Sequence, residues 1–91
     1  MSKLDTIANK IIKEQELIIG PLAWEEAGKV SGVNITNGVV EIKNGDEREV
    51  VNKLVGQYEH LFGRASREVC REAVTSLLAD LSPAEIPSSL R

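Results

Sequence analysis

The strongest constraint on the fold is a stretch of sequence that occurs twice. Ile11-Ile12-Lys13-Glu14-Gln15-Glu16-Leu17-Ile18-Ile19-Gly20 lies over Leu54-Val55-Gly56-Gln57-Tyr58-Glu59-His60-Leu61-Phe62-Gly63. Two branched apolar pairs, a glutamate and a glycine fall in register. The same offset, 43 residues from Ile11 to Leu54, carries on without a gap to Glu25 over Glu68 and Ala27 over Cys70. A repeat of this kind implies a duplicated structural unit, here helix-Gly-helix, and two such units bury their aliphatic stripes best against each other. The expected fold is mainly α (α+β): four helices as two repeats with an approximate internal two-fold, and one β-hairpin between them.

Local patterns fill in this frame. Apolar residues at Leu4, Ile7, Ala8, Ile11, Ile12, Ile18 and Ile19 follow the helical period, with Ser2 or Asp5 as N-cap. Gly20-Pro21 breaks that helix, and proline is accepted in the first turn of a second one. The second helix is expected to stop at Ser31-Gly32. Val33–Thr36 and Val39–Ile42 flank Asn37-Gly38, a strong type I′ hairpin signal, and pairing Thr36 with Val39 puts Val33, Ile35, Val40 and Ile42 on one face. Asn44-Gly45 predicts a turn. Asp46 to Glu49 then reads as the start of a third helix, with Asp46 as N-cap and Glu49 at N3.

Helical spacing continues past Gly63 through Ala65, Val69, Ala73, Leu77 and Leu78, a stripe expected to face the core. A single helix to Asp80 would be exceptionally long, so two helices meeting at Gly63 are predicted. The reading is a single helical domain over residues 1–81, with repeat one at about 4–31, the hairpin at about 33–43 and repeat two at about 46–81. Residues 82–91 form a proline-containing tail, either docked or disordered.

Composition excludes several function classes. The chain has 91 residues, a net charge of −3 and one residue each of Trp, Tyr, Phe and Cys. The acidic balance opposes a free-standing nucleic-acid binder, and no stretch is long and apolar enough for a membrane span. The N-terminal residues lead into an amphipathic helix rather than a signal sequence, so a cytoplasmic location is expected. With Cys70 alone there is no intrachain disulfide, and a buried thiol is expected.

No catalytic set emerges, so the chain is read as not an enzyme. The helix neighbours that could face His60 are Gly56, Gln57, Gly63 and Arg64, none of which is a carboxylate. Cys70 is about 15 Å along a straight helix from His60. Glu25, Glu26, Glu68 and Glu72 lack the Glu-x-x-His pattern of bundle metal sites, and no phosphate-binding glycine loop is present. Neither metal nor cofactor is expected.

Two surfaces remain as candidate sites. Trp24 lies off the expected core face of the second helix, with Leu17 on a similar line, and Gly28 would allow a close backbone approach. This surface is covered either by the hairpin or by a partner or second copy. Arg64, Arg67 and Arg71 form a narrow stripe on the fourth helix, suited to an anion or acidic partner, or else solvated with Glu68 and Glu72 beside it. The leading expectation is a protein–protein interaction or regulatory module that self-associates. The alternatives are a nucleic-acid-associated regulator using the arginine stripe and a small-ligand or anion sensor.

Overall fold

In the computed structural model, residues 2–42 and 46–90 are described. Helix α1 spans Lys3–Ile19 and α2 Leu22–Gly28; strands β1 (Val33–Thr36) and β2 (Val39–Ile42) follow, then α3 (Glu47–Phe62) and α4 (Arg64–Leu78). The chain is thus mainly helical, with an antiparallel hairpin between two helix pairs. The turn read at Asn44-Gly45, and Lys43, lie outside the described residues.

Helices α1 and α3, which open the two helix pairs, each begin at a side-chain cap. The Ser2 hydroxyl accepts from the Asp5 amide at 3.1 Å while the Asp5 carboxylate accepts from the Ser2 amide at 3.1 Å, a reciprocal box that seals α1. Asp46 caps α3 by accepting from the Arg48 amide at 2.9 Å. Both helix pairs bend at a glycine: Gly20 has φ 71° and Gly63 φ 90°, and their amides reach Glu16 O and Glu59 O at 2.9 and 2.8 Å. Positive φ is strained for any residue with a side chain, so glycine at both junctions is a backbone requirement.

The 43-residue offset also governs burial. Ile7 and Val50, Ala8 and Val51, Ile11 and Leu54, Ile12 and Val55, Ala23 and Ser66, and Ala27 and Cys70 are pairs at that spacing, and every member is buried. A seventh pair is Gln15 and Tyr58, polar side chains inside an aliphatic core. Gln15 Nε2 donates to Ser66 O at 3.1 Å, and Tyr58 Oη donates to Ala23 O at 2.6 Å. Since Ser66 stands to Ala23 as Tyr58 does to Gln15, each unit reaches into the other through equivalent positions. That is the arrangement a two-fold relation between the repeats would generate.

Those two bonds also set helix directions. The C-terminal half of α1 lies beside the start of α4, while at the other end Lys3 Nζ donates to Asp80 O at 2.9 Å. Helices α1 and α4 are therefore antiparallel. The Ser2 hydroxyl donates to Glu47, which places the N-termini of α1 and α3 together. Both glycine junctions consequently lie at one end of the molecule.

The hairpin has the register read from its turn: Thr36 opposes Val39, Ile35 opposes Val40 and Val33 opposes Ile42. Asn37 and Gly38 take φ 52° and 73°, as a type I′ turn demands. Helix α1 grips the free edge of β2. Asn9 Oδ1 accepts from the Val40 amide at 2.8 Å, Asn9 Nδ2 donates to Val40 O at 2.9 Å, and Asp5 Oδ1 accepts from the Ile42 amide at 2.9 Å. An isolated two-stranded hairpin is marginal in water, and this clamp supplies the missing support.

Two expectations change, and one left open is decided. Helix α2 ends at Gly28 rather than at Ser31-Gly32, because Lys29, Val30 and Val33 each bond three residues back in tight turns that unwind the helix toward β1. The α4 stripe predicted to face the core is displaced: Ser66, Cys70 and Val74 are buried, whereas Val69, Ala73 and Leu77 are half-buried and Ala65 is exposed. The cause is Gln15, which draws Ser66 and Cys70 inward by donating to Ser66 O and, at 3.3 Å, to Cys70 Sγ. The C-terminal segment takes the docked alternative. It folds as two 3-10 turns, Pro83–Glu85 and Ser88–Leu90, and buries Pro87 and Leu90.

Candidate functional site

The junction end of the molecule carries the exposed apolar residues. Leu17 is 80% exposed and Ile18 62%, with Leu22 just beyond Gly20 also in solvent. Leu61 and Phe62, before the equivalent Gly63, are exposed as well. Leu17 and Ile18 follow Gln15, the last buried residue of α1, and project beyond the core.

Trp24 stands beside them. It is half-buried against the core, and its indole N–H donates to Glu16 Oε2 at 2.9 Å. That bond ties α2 to the end of α1 and fixes the ring at the margin of the apolar surface. Gly28 is exposed, and a Cβ built on it would stand 3.8 Å from the Ile35 side chain, at ordinary contact distance, so strand β1 of the hairpin approaches this end of α2. Leu17 and Trp24 share the junction end.

The arginine stripe is brought together. Arg64, Arg67 and Arg71 line an open cleft of about 580 Å³ with Glu59 and Glu68. Arg67 Nη1 lies 3.8 Å from Glu59 Oε2, and its Nε donates to Ser89 O at 3.2 Å, so this guanidinium fastens the C-terminal segment to α3 and α4. Arg71 lies 3.8 Å from Glu68. Arg64 makes no ion pair among the described residues, and it occupies the first position of α4, where a cation opposes the helix dipole. The cleft thus holds one uncommitted guanidinium and two already engaged by carboxylates.

Titration behaviour inside the fold is structural. Burial pushes the Cys70 thiol up to about 11, although the Gln15 amide donating to it pulls the other way. Burial also raises the Tyr58 phenol well above its ordinary range. Glu26 is held below the ordinary carboxylate value by donation from Lys29 at 2.9 Å and Gln57 at 2.8 Å. His60 is exposed near the end of α3. Among the described residues no three His, Cys, Asp or Glu side chains converge as metal ligands, and no helix is long and apolar enough to cross a membrane.

Sequence reasoning missed two pairs of side chains that bond the parts of the fold together. Asn9 and Asn52 occupy the same position of the two repeats, and each captures a non-α segment: Asn9 takes strand β2, while Asn52 Oδ1 accepts from the Ser89 amide at 2.9 Å and the Ser89 hydroxyl at 2.7 Å, in the second 3-10 turn. Asparagine is a poor interior helix residue, so its presence at the same place in both repeats was the available signal. Gln15 and Tyr58 offered a similar one, as polar interruptions of an apolar stripe. No family model matches this chain, and neither the curated proteins nor the solved structures contain a match.

Proposed function

We propose that this chain is a non-enzymatic protein–protein interaction or regulatory module that self-associates. The observation that supports partner binding is the exposure of Leu17 and Ile18 at the end of α1, bordered by Leu22 and the anchored indole of Trp24. Large aliphatic side chains left in water at the end of an ordered helix favour a protein partner, and tryptophan at the margin of such a surface is a frequent binding anchor. A reducing compartment such as the cytoplasm suits a chain whose single cysteine is a free, buried thiol.

The test is capture on immobilised protein. Wild type should retain a specific partner from native lysate, and Leu17→Glu combined with Trp24→Ala should lower retention at least about tenfold, which corresponds to roughly 1.4 kcal/mol. Equal retention by both proteins would overturn the reading. The nucleic-acid and anion-sensor readings draw less support, because Arg67 and Arg71 already meet Glu59 and Glu68.

A further inference from the structure

Helix α4 carries two apolar stripes and buries only one of them within the chain. Ser66, Cys70 and Val74 face the core, while Val69, Ala73 and Leu77 lie along the boundary with α1, half-buried. Two depressions open over this boundary. One is bordered by Lys10, Lys13, Val39 and Leu77, the other by Glu14, Ile18, Val69 and Glu72, and they share Lys10, Ala73 and Ser76. Together they form one groove running from Thr6 to Ile18 along α1, about 18 Å at the helical rise.

The charges around this groove are arranged in a self-complementary way. Lys10 pairs with Glu14 in its own helix at 3.2 Å. Lys13 and Glu72 have no ion-pair partner among the described residues. Because Gln15 meets Ser66 and Cys70 while Lys3 meets Asp80, antiparallel α1 and α4 place Lys13 and Glu72 at nearly the same height on opposite walls. A two-fold axis along the groove would set α1 of one copy on α4 of the other, antiparallel, with Lys13 opposite the second copy's glutamate and the reverse contact made at the same time.

We infer that the α1/α4 groove is the self-association surface, occupied by a second copy of this chain in a two-fold, four-helix arrangement. The inference rests on the proposed self-association and names its surface. Ala73 and Ser76, at the middle of the groove, are small enough to let the facing helices approach, and Val69, Leu77 and Ile18 supply the apolar contact. An isologous interface must be complementary to itself, which this distribution satisfies. The occupant is thereby distinguished from a uniformly acidic or basic partner, since either would leave one wall of the groove facing like charge. A footprint two helices wide and about 18 Å long, roughly 400 Å² per copy, falls below the standard size of a stable interface, so the dimer should be weak and form in the upper micromolar range.

Charge reversal tests both surface and geometry. The 91-residue chain is examined by sedimentation equilibrium from about 1 to 300 μM at low salt, with circular dichroism confirming that each variant folds. Wild type should be dimeric in the upper part of that range. Lys13→Glu and Glu72→Lys should each raise the dissociation constant at least about tenfold, because each places like charges together at both symmetry-related contacts. An equimolar mixture of the two variants should recover dimer, since one supplies glutamate and the other lysine at every contact. Wild type that stays monomeric, variants that dimerise as well as wild type, or a mixture that remains monomeric would each overturn the inference. Partner capture through Leu17 and Trp24 is read separately: Lys13→Glu should still capture, and Leu17→Glu with Trp24→Ala should still dimerise.

Discussion

Tyr58 shows how much one polar atom decides in an aliphatic core. Its ring fills the space between the two units, and its hydroxyl donates at 2.6 Å to Ala23 O, a bond sheltered from water. Removing only that oxygen with Tyr58→Phe keeps the volume and loses the bond, and should lower stability by about 1 kcal/mol, a fall in Tm of roughly 4–8 °C in a thermal melt. Cys70, across the same core, should be almost inert. Its thiol is buried and raised to about 11, so alkylation by iodoacetamide at pH 8 should be far slower in the folded protein than in denaturant, as mass spectrometry would measure. The burial of this thiol was legible in the sequence, as cysteine packs like a small hydrophobe. The bonding role of Tyr58 was not, because its acceptor is a backbone carbonyl 35 residues away, and carbonyls leave no mark in sequence.

At the scale of elements, local chemistry was the best guide wherever it acted over a few residues. The hairpin register followed from the positive-φ turn at Asn37-Gly38, and of the two N-cap candidates, Ser2 and Asp5, Ser2 is the cap, with Asp5 as its partner at N3. What escaped were choices made by distant partners. The apolar stripe of α4 is broad enough to be buried along either of two lines, and Gln15 selects the one through Ser66 and Cys70. Trp24, similarly, is read as off the core by helix geometry, yet Glu16 holds it at the margin. The clamp on β2 gives a prediction at this scale. Asn9→Ala removes both bonds to Val40 and should cost about 1–3 kcal/mol. Hydrogen exchange should show the loss concentrated in β1 and β2, with α3 and α4 amides retaining more of their protection.

For the molecule as a whole, the C-terminal segment belongs to the core. Pro87 and Leu90 are buried, Arg67 and Asn52 both hold Ser89, and Arg48 Nη1 donates to Ala84 O at 2.6 Å. Ending the chain at Leu81 should therefore destabilise it by at least about 2 kcal/mol, the worth of burying one leucine, and chemical denaturation should show an earlier midpoint. Sequence reading set this segment apart because its two prolines forbid a regular helix, but docking needs only buried side chains and a few anchored carbonyls. The reciprocal bonds of Gln15 to Ser66 and Tyr58 to Ala23 have a further consequence. Each half of the chain supplies one donor and one acceptor, so neither half is satisfied alone and both are satisfied on meeting. Peptides 1–43 and 46–91, made separately, should each be largely unfolded and should regain helical circular dichroism when mixed in equal amounts. The molecule would then behave as a heterodimer whose two partners are joined by a short covalent tether.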